Sequence, residues 1–165
     1  MSARPPSDAV VALRSLGRRY KGLFAGLGDD ERPDDLAHRN GTDGHSALDH
    51  VVAATRTLAF LGRALDQVLV DDDAMLHPAV SDPAQREWPD ATGTVDERVS
   101  DLAREAEHLA TRAAKVPAAG WARTARVASH DASTSALAVL WDAVDSAIAH
   151  LKAAERTLRE VRGRP

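Results

Sequence analysis

The chain has 165 residues, no cysteine and a formal net charge of −4. This length predicts one domain with a single core, and the absence of cysteine excludes disulfides, thiolate nucleophiles and Cys-ligated metals. The acidic balance argues against a nucleic-acid partner. The sequence shows neither a signal peptide nor an apolar run approaching the ~20 residues of a membrane helix, so we expect a cytoplasmic protein without a membrane partner.

The pattern of apolar residues predicts an all-α fold. Hydrophobic residues make up 44% of the chain, Ala and Leu are abundant, and alternating runs of β-branched residues are missing. Apolar positions three and four residues apart predict four helices, at about residues 7–26, 45–70, 94–116 and 133–162. The predicted architecture is an up-down four-helix bundle that fills one domain, residues 1–165.

The first two predicted helices carry clear local signals. Gly17 and Gly22 weaken the first helix, since a glycine in a helix interior costs roughly 1 kcal/mol. Ser46 and Asp49 have the spacing of a capping box at the start of the second helix. The acidic run 71–73 predicts its end, because carboxylates are unfavourable at the negative end of the helix dipole.

A long loop is predicted between the second and third helices. Residues 71–93 contain four helix-breaking residues, Pro78, Pro83, Pro89 and Gly93, and loops of this length in compact domains are often functional. Trp88 lies in this loop, where it is a candidate to cover the mouth of a pocket, although packing is the favoured interpretation. Thr94 and Glu97 form a second capping box that opens the third helix.

The candidate site residues come from two helices. Among the seven histidines, no two are four residues apart, so no helix presents a histidine pair towards a metal. Asp49 and His50 in the second helix, and Asp142 and Asp145 in the fourth, would line one pocket if these helices pack side by side. The alternative is that all four lie on partly solvated flanks, where they form caps and ion pairs.

Two segments of the chain, 44–58 and 121–158, resemble the DinB/YfiT-like helical bundles. Ser46 and Asp49 match the opening of the family's second helix, with His45 where the family usually has tryptophan. The resemblance implies a four-helix bundle, and in many members a divalent metal held by three histidines. It places these ligand positions at Ala53, Asp145 and Ala149.

Alanine cannot coordinate a metal, so two of the three implied ligands are missing. Asp145 resembles the carboxylate ligand of the related mycothiol-dependent maleylpyruvate isomerase-like proteins. The resemblance therefore implies a DinB-like protein with a degenerate metal site and no cofactor, which acts as a non-catalytic small-molecule-binding or interaction protein. The family's dimers imply a homodimer.

The alternative function is an enzyme of the thiol-dependent transferase or isomerase class. Such an enzyme would use the relocated residues Asp49, His50, Asp142 and Asp145, with or without a divalent metal. A metal-free catalyst would also need a histidine or carboxylate with a shifted pKa in a closed pocket.

Overall fold

Four long helices account for most of the computed structural model, which describes residues 3–28, 31–129 and 131–163. The helices are α1 (Pro6–Ala25), α2 (Pro33–Ala37), α3 (Ala47–Val70), α4 (Val95–Ala114) and α5 (Ala136–Arg162), of which only α2 is short. The predicted four-helix bundle is confirmed, and every predicted boundary of a long helix lies within three residues of the observed one.

Both predicted capping boxes are present. The Ser46 hydroxyl accepts a hydrogen bond from the Asp49 amide at 3.0 Å, and the Asp49 carboxylate accepts one from the Ser46 amide at 2.8 Å. Thr94 and Glu97 form the same reciprocal pair at the start of α4. Each box satisfies two backbone N–H groups that have no partner inside the helix, which is why these two helices begin where the sequence predicts.

Helices α3 and α4 run in the same direction. At the start of α3, the Asp49 carboxylate accepts a hydrogen bond of 2.9 Å from the amide of Ala91, which lies just before α4. Near the other end, Asp66 of α3 forms an ion pair with Arg112 of α4. The chain between them, residues 71–94, must therefore cross the length of the bundle, and this explains why the connection is long.

The remaining directions complete the topology. α1 runs opposite to α4, because Arg14 bonds Glu107 whereas the later Gly17 packs on the earlier Ala103. α5 runs opposite to α3, because Glu160 near the end of α5 bonds Thr42 before α3, while Arg123 before α5 bonds the Val68 carbonyl near the end of α3. The helices therefore run up, down, down and up. This order differs from the plain up-down succession predicted from the sequence, because only short loops force consecutive helices to be antiparallel.

A small three-stranded sheet, which the sequence pattern did not predict, joins the two long connections. β1 (Met75–Leu76) pairs in parallel with β2 (Thr124–Val127), and β2 pairs antiparallel with β3 (Ser133–Ser135). α5 begins at Ala136, three residues later than predicted, because the residues before it belong to β3. β1 and β3 are too short to show the alternation over four to eight residues that signals a strand, and β2 only just reaches four.

The core lies between the four long helices, with α1 and α3 at opposite corners. α1 packs chiefly on α4, and α3 packs chiefly on α5. The largest fully buried side chains are Leu13, Leu16, Tyr20, Leu48, Val51, Leu58, Leu61, Leu65, Leu76, Leu102, Leu109 and Leu140. Across the described residues, no helix is both long enough and apolar enough to cross a membrane.

The two glycines of α1 have different surroundings. A Cβ atom added at Gly17 would lie 2.7 Å from the Cβ of Ala103 on α4, whereas one added at Gly22 would meet nothing within 4 Å. Gly17 therefore permits the close approach of α1 to α4, while Gly22 only weakens the helix.

The same substitution at these two positions is expected to have opposite effects. Gly22→Ala should stabilise the protein by up to about 1 kcal/mol through helix propensity. Gly17→Ala should destabilise it by about 1 kcal/mol, because the overpacking against Ala103 outweighs the same propensity gain. Urea unfolding measures both changes. Adding Ala103→Gly to Gly17→Ala should restore stability, and equal effects of the two single substitutions would contradict the close contact.

Candidate functional site

A cavity of about 570 Å³ lies between α3 and the connection from α3 to α4. The α3 residues on its wall recur three and four positions apart, so they form one face of the helix. Its apolar lining residues are Ala53, Ala59, Phe60, Ala79, Pro83 and Trp88. Its polar lining residues are Arg56, Thr57, Arg63, His77, Gln85, Arg86, Glu87 and His150.

Arg86 fixes the connection that forms one wall of the cavity. Its guanidinium donates hydrogen bonds to the carbonyl oxygens of Ala79 at 2.9 Å and Val80 at 3.1 Å. Pro78 and Pro83 begin the two short 3₁₀ turns of this segment, where a fixed φ and a missing N–H are favourable. Burial lowers the pKa of Arg86, but a guanidinium remains charged at neutral pH. A positive charge is therefore held at the cavity wall.

The turn before α3 places the side chains of Asp43 and His45 at the site. The Gly41 amide donates to the carbonyl of His45 at 2.9 Å, and Gly44 has a φ of +83°, a conformation that favours glycine. The Asp43 carboxylate accepts a hydrogen bond of 3.0 Å from the His45 amide. This compact turn directs the Asp43 carboxylate towards His50 on the first turn of α3.

Asp43, His50 and His150 form a chain of hydrogen bonds that leads to the cavity. The Asp43 carboxylate is 3.1 Å from Nε2 of His50, and Nδ1 of His50 is 3.2 Å from Nδ1 of His150. The His50 side chain is only 4% exposed, whereas His150 reaches the cavity wall from α5. We refer to these three residues as the Asp43–His50–His150 chain.

Burial sets the protonation states along this chain. It lowers the pKa of His150 to about 4, with further lowering by the rings of His50 and His45 and by the positive charge of Arg86. It also lowers the pKa of His50, more than the hydrogen bond to Asp43 raises it. For Asp43, burial alone would raise the pKa, but hydrogen bonds from His45 and His50 hold it below its usual value. Both rings of the chain are therefore neutral at pH 7, and Asp43 is ionised.

Trp88 packs over the histidines, at the place where the sequence suggested a cover for a pocket. Its ring stacks on His45, with centroids 3.5 Å apart and an interplanar angle of 12°. It presents an edge-to-face contact to His50 at 5.1 Å and to His150 at 5.6 Å. Trp88 also lines the cavity and is 46% exposed, so it lies between solvent and the rings of His50 and His150.

The four predicted site residues occupy three different settings. Asp49 is part of the capping box and also holds Ala91, so both of its oxygens have partners. His50 belongs to the Asp43–His50–His150 chain. Asp142 and Asp145 lie on α5 near Arg4. None of these four residues is among those that line the cavity.

Asp145 is paired with the N-terminal segment. The Arg4 guanidinium donates to its two oxygens at 3.0 and 2.6 Å, and it lies 3.7 Å above the ring of Trp141. The Trp141 indole N–H in turn donates to the Arg4 carbonyl at 3.1 Å. Burial and the charge of Asp145 raise the pKa of the neighbouring Asp142, against the attraction of Arg86 and Arg4.

Sequence reasoning did not assign a role to Asp43, His150 or Arg86 in this site. A spacing of four residues identifies histidine pairs within one helix, and the predicted two-helix set pairs His50 with Asp142 and Asp145, whereas His50 contacts His150 on α5. The turn from Gly41 to Gly44 was the available signal, because it places an aspartate shortly before a capped helix. That signal shows a turn, but it does not show which side chain the aspartate meets.

The residues at the three ligand positions implied by the family resemblance do not fit a divalent metal. Ala53 lines the cavity but has no donor atom, Ala149 lies exposed on α5, and Asp145 bonds Arg4. Within residues 3–28, 31–129 and 131–163, no group of three or more histidine, aspartate or glutamate side chains converges in a way that could hold a metal ion.

A known structure has a similar fold. YfiT from Bacillus subtilis, described as a probable metal-dependent hydrolase with an unusual four-helix bundle topology, superposes with a TM-score of 0.67 at 11% sequence identity. The match covers 94% of this chain and 89% of YfiT. The chain has a YfiT-like fold. At this identity the likeness establishes the fold of the YfiT-like bundle and leaves its chemistry open. No protein-family model matches the sequence, and neither does any curated protein.

The neutral His150 is expected to make the stability of the YfiT-like bundle depend on pH. Between pH 6.5 and about 4, the unfolded chain binds a proton at this residue that the folded protein does not, so stability falls as the pH is lowered. From pH 7.5 to pH 5 the contribution of His150 is on the order of 2 kcal/mol. Urea unfolding at both pH values measures it.

The control for this measurement is His150→Gln. The loss of stability between pH 7.5 and pH 5 should be smaller in this variant, because glutamine does not titrate. An unchanged loss would show that His150 is not the group responsible.

Proposed function

We propose that this protein binds a small organic anion with an apolar body in the cavity beside α3. One observation carries the proposal: the cavity wall, whose exposed surface is mainly apolar although polar residues outnumber apolar ones, includes three arginines, Arg56, Arg63 and Arg86, against a single carboxylate, Glu87. Ligand sites are typically apolar clefts in which a few placed charges fix orientation, and 570 Å³ is within their usual size range.

The arginines support this proposal in two ways. Arg86 is already held by two backbone carbonyls, so its side chain loses little conformational entropy when an anion binds beside it. Arg56 and Arg63 form no ion pair with any residue in the described part of the chain, so both remain available to a ligand. An arginine matches a carboxylate or phosphate with two parallel hydrogen bonds.

The proposal keeps the non-catalytic role that the sequence predicts. Alanine at two of the implied ligand positions, Ala53 and Ala149, supports a degenerate metal site, and the homodimer implied by the family resemblance remains part of the prediction. The alternative enzyme would rely on Asp49, His50, Asp142 and Asp145. It has less support, because Asp49 and Asp145 are each engaged in hydrogen bonds that serve the fold.

Removal of a single cavity arginine is expected to weaken anion binding. Arg56→Gln and Arg63→Gln should each reduce the affinity for 2-naphthoate by about two- to fivefold, which corresponds to the free energy of one exposed charge pair. Isothermal titration calorimetry measures the affinity. Binding of the neutral 2-naphthamide should be unchanged, since it lacks the charge that these residues recognise.

Arg18→Gln is the matched control for these variants. Arg18 is an exposed arginine on α1, outside the cavity, and its loss changes the net charge by the same amount. A comparable loss of affinity in this variant would mean that the overall charge, rather than the cavity, attracts the anion.

The degenerate-site part of the proposal makes a separate prediction. Protein purified without a histidine tag is expected to contain no stoichiometric nickel, zinc, iron or manganese, because the implied ligand positions offer one carboxylate and two alanines. Inductively coupled plasma mass spectrometry measures the metal content. About one metal ion per chain, retained after dialysis, would overturn this part of the proposal.

A further inference from the structure

We infer that the ligand of the cavity carries a hydroxyl group as well as its negative charge, and that Nε2 of His150 accepts the hydrogen bond from this hydroxyl. The inference rests on the proposed function, because it concerns the same cavity. It narrows the ligand class from organic anions to hydroxylated organic anions. The inference depends on the Asp43–His50–His150 chain, because its two hydrogen bonds fix which ring nitrogen carries the proton in His50 and in His150.

The first step is the bond from His50 to Asp43. An ionised carboxylate can only accept, so Nε2 of His50 must carry the proton in the 3.1 Å contact. A neutral imidazole has one N–H, and therefore Nδ1 of His50 has only a lone pair. With a side-chain exposure of 4%, His50 has little access to water that could stabilise the other tautomer.

The second step is the bond from His150 to His50. Because Nδ1 of His50 can only accept, Nδ1 of His150 must donate across the 3.2 Å contact. Nε2 of His150 is then the unprotonated nitrogen. It has no hydrogen-bond partner among the residues that the structure describes, and His150 lines the cavity. The chain thus fixes a hydrogen-bond acceptor that is available to a bound molecule.

The residues around His150 decide what kind of hydrogen-bond donor fits. Arg86 faces it from the connection, while His50 and His45 face it from α3 and the turn before α3, and each of these lowers its pKa. Since an ammonium donor would be repelled by Arg86, a neutral hydroxyl is favoured over an amine that is protonated at neutral pH.

The low pKa of His150 favours a role in ligand recognition over a role in proton abstraction. A general base works best when its pKa lies near the working pH, and the pKa of His150, about 4, lies well below neutrality. A site with a fixed acceptor instead disfavours a ligand that cannot donate to it, because the acceptor is then left unpaired. The expected discrimination for a hydroxyl is about tenfold in affinity.

The test compares three probes that share one apolar body and one carboxylate: 6-hydroxy-2-naphthoate, 6-methoxy-2-naphthoate and 2-naphthoate. Calorimetry at pH 7.5 should show that the hydroxy compound binds about tenfold more tightly than the other two. The preference should persist at pH 5.5. An acceptor histidine with an ordinary pKa would be mostly protonated at that pH and would lose the preference.

Two variants assign the preference to the chain. His150→Phe removes the acceptor and keeps a ring, so the three probes should bind equally. Asp43→Asn replaces the carboxylate with an amide that pairs with either tautomer of His50, so the preference should fall to about threefold or less. His108→Phe, an exposed position on α4, is the matched control and should keep the full preference.

A second measurement uses the unmodified protein, so it does not depend on whether a variant folds. The ¹⁵N chemical shifts of the His150 ring in the unmodified protein report which nitrogen carries the proton, and Nδ1 is expected. Protonation at Nε2 would overturn the inference. Equal affinity of the three probes that still depends on Arg56 and Arg63 would also overturn it, and would leave the proposed function intact. Failure of all three probes to bind would overturn both.

Discussion

The parallel arrangement of α3 and α4 is the constraint on which the site depends. Two consecutive helices that run in the same direction need a connection as long as the bundle, and residues 71–94 provide it. A segment of that length cannot bury its backbone without partners, and here the small sheet, the Asp49–Ala91 hydrogen bond and the Arg86 guanidinium supply them. The cavity exists because this connection lies beside α3 without filling the space next to it.

The same packing explains the unusual electrostatics of the site. α3 packs chiefly on α5, and this brings two histidines, separated by 100 residues, into hydrogen-bonding contact. Histidines in such a place would repel one another if they were charged, so burial and mutual proximity keep both neutral. Asp43 then fixes the direction of the hydrogen bonds. Arg86 adds a positive charge that an anion can approach, and Trp88 separates the pair from solvent. Together, these features place a neutral histidine pair and a positive charge beside apolar side chains of the cavity wall.

The predicted site residues show where sequence reasoning succeeded and where it stopped. The sequence makes Asp49 a candidate both for a helix cap and for a pocket, and its hydrogen bonds place it in the cap and against Ala91. His50 was a pocket candidate whose partners are Asp43 and His150, residues that no spacing rule connects to it. The apolar pattern correctly predicts that Asp145 lies in the last long helix, but its partner Arg4 lies 141 residues away. Local patterns identify a residue's element, whereas the identity of a distant partner depends on how the elements pack.

The four long helices, both capping boxes and the position of the long connection can all be predicted from the amino-acid sequence. These features depend on apolar periodicity and on hydrogen bonds between residues three apart, which are local and visible in the chain. The up, down, down and up order, the sheet, the cavity and the Asp43–His50–His150 chain could not be predicted in this way, because side chains from α5 and from the turn before α3 become neighbours only when the helices pack. Short strands and contacts between distant helices leave no periodic mark on the sequence.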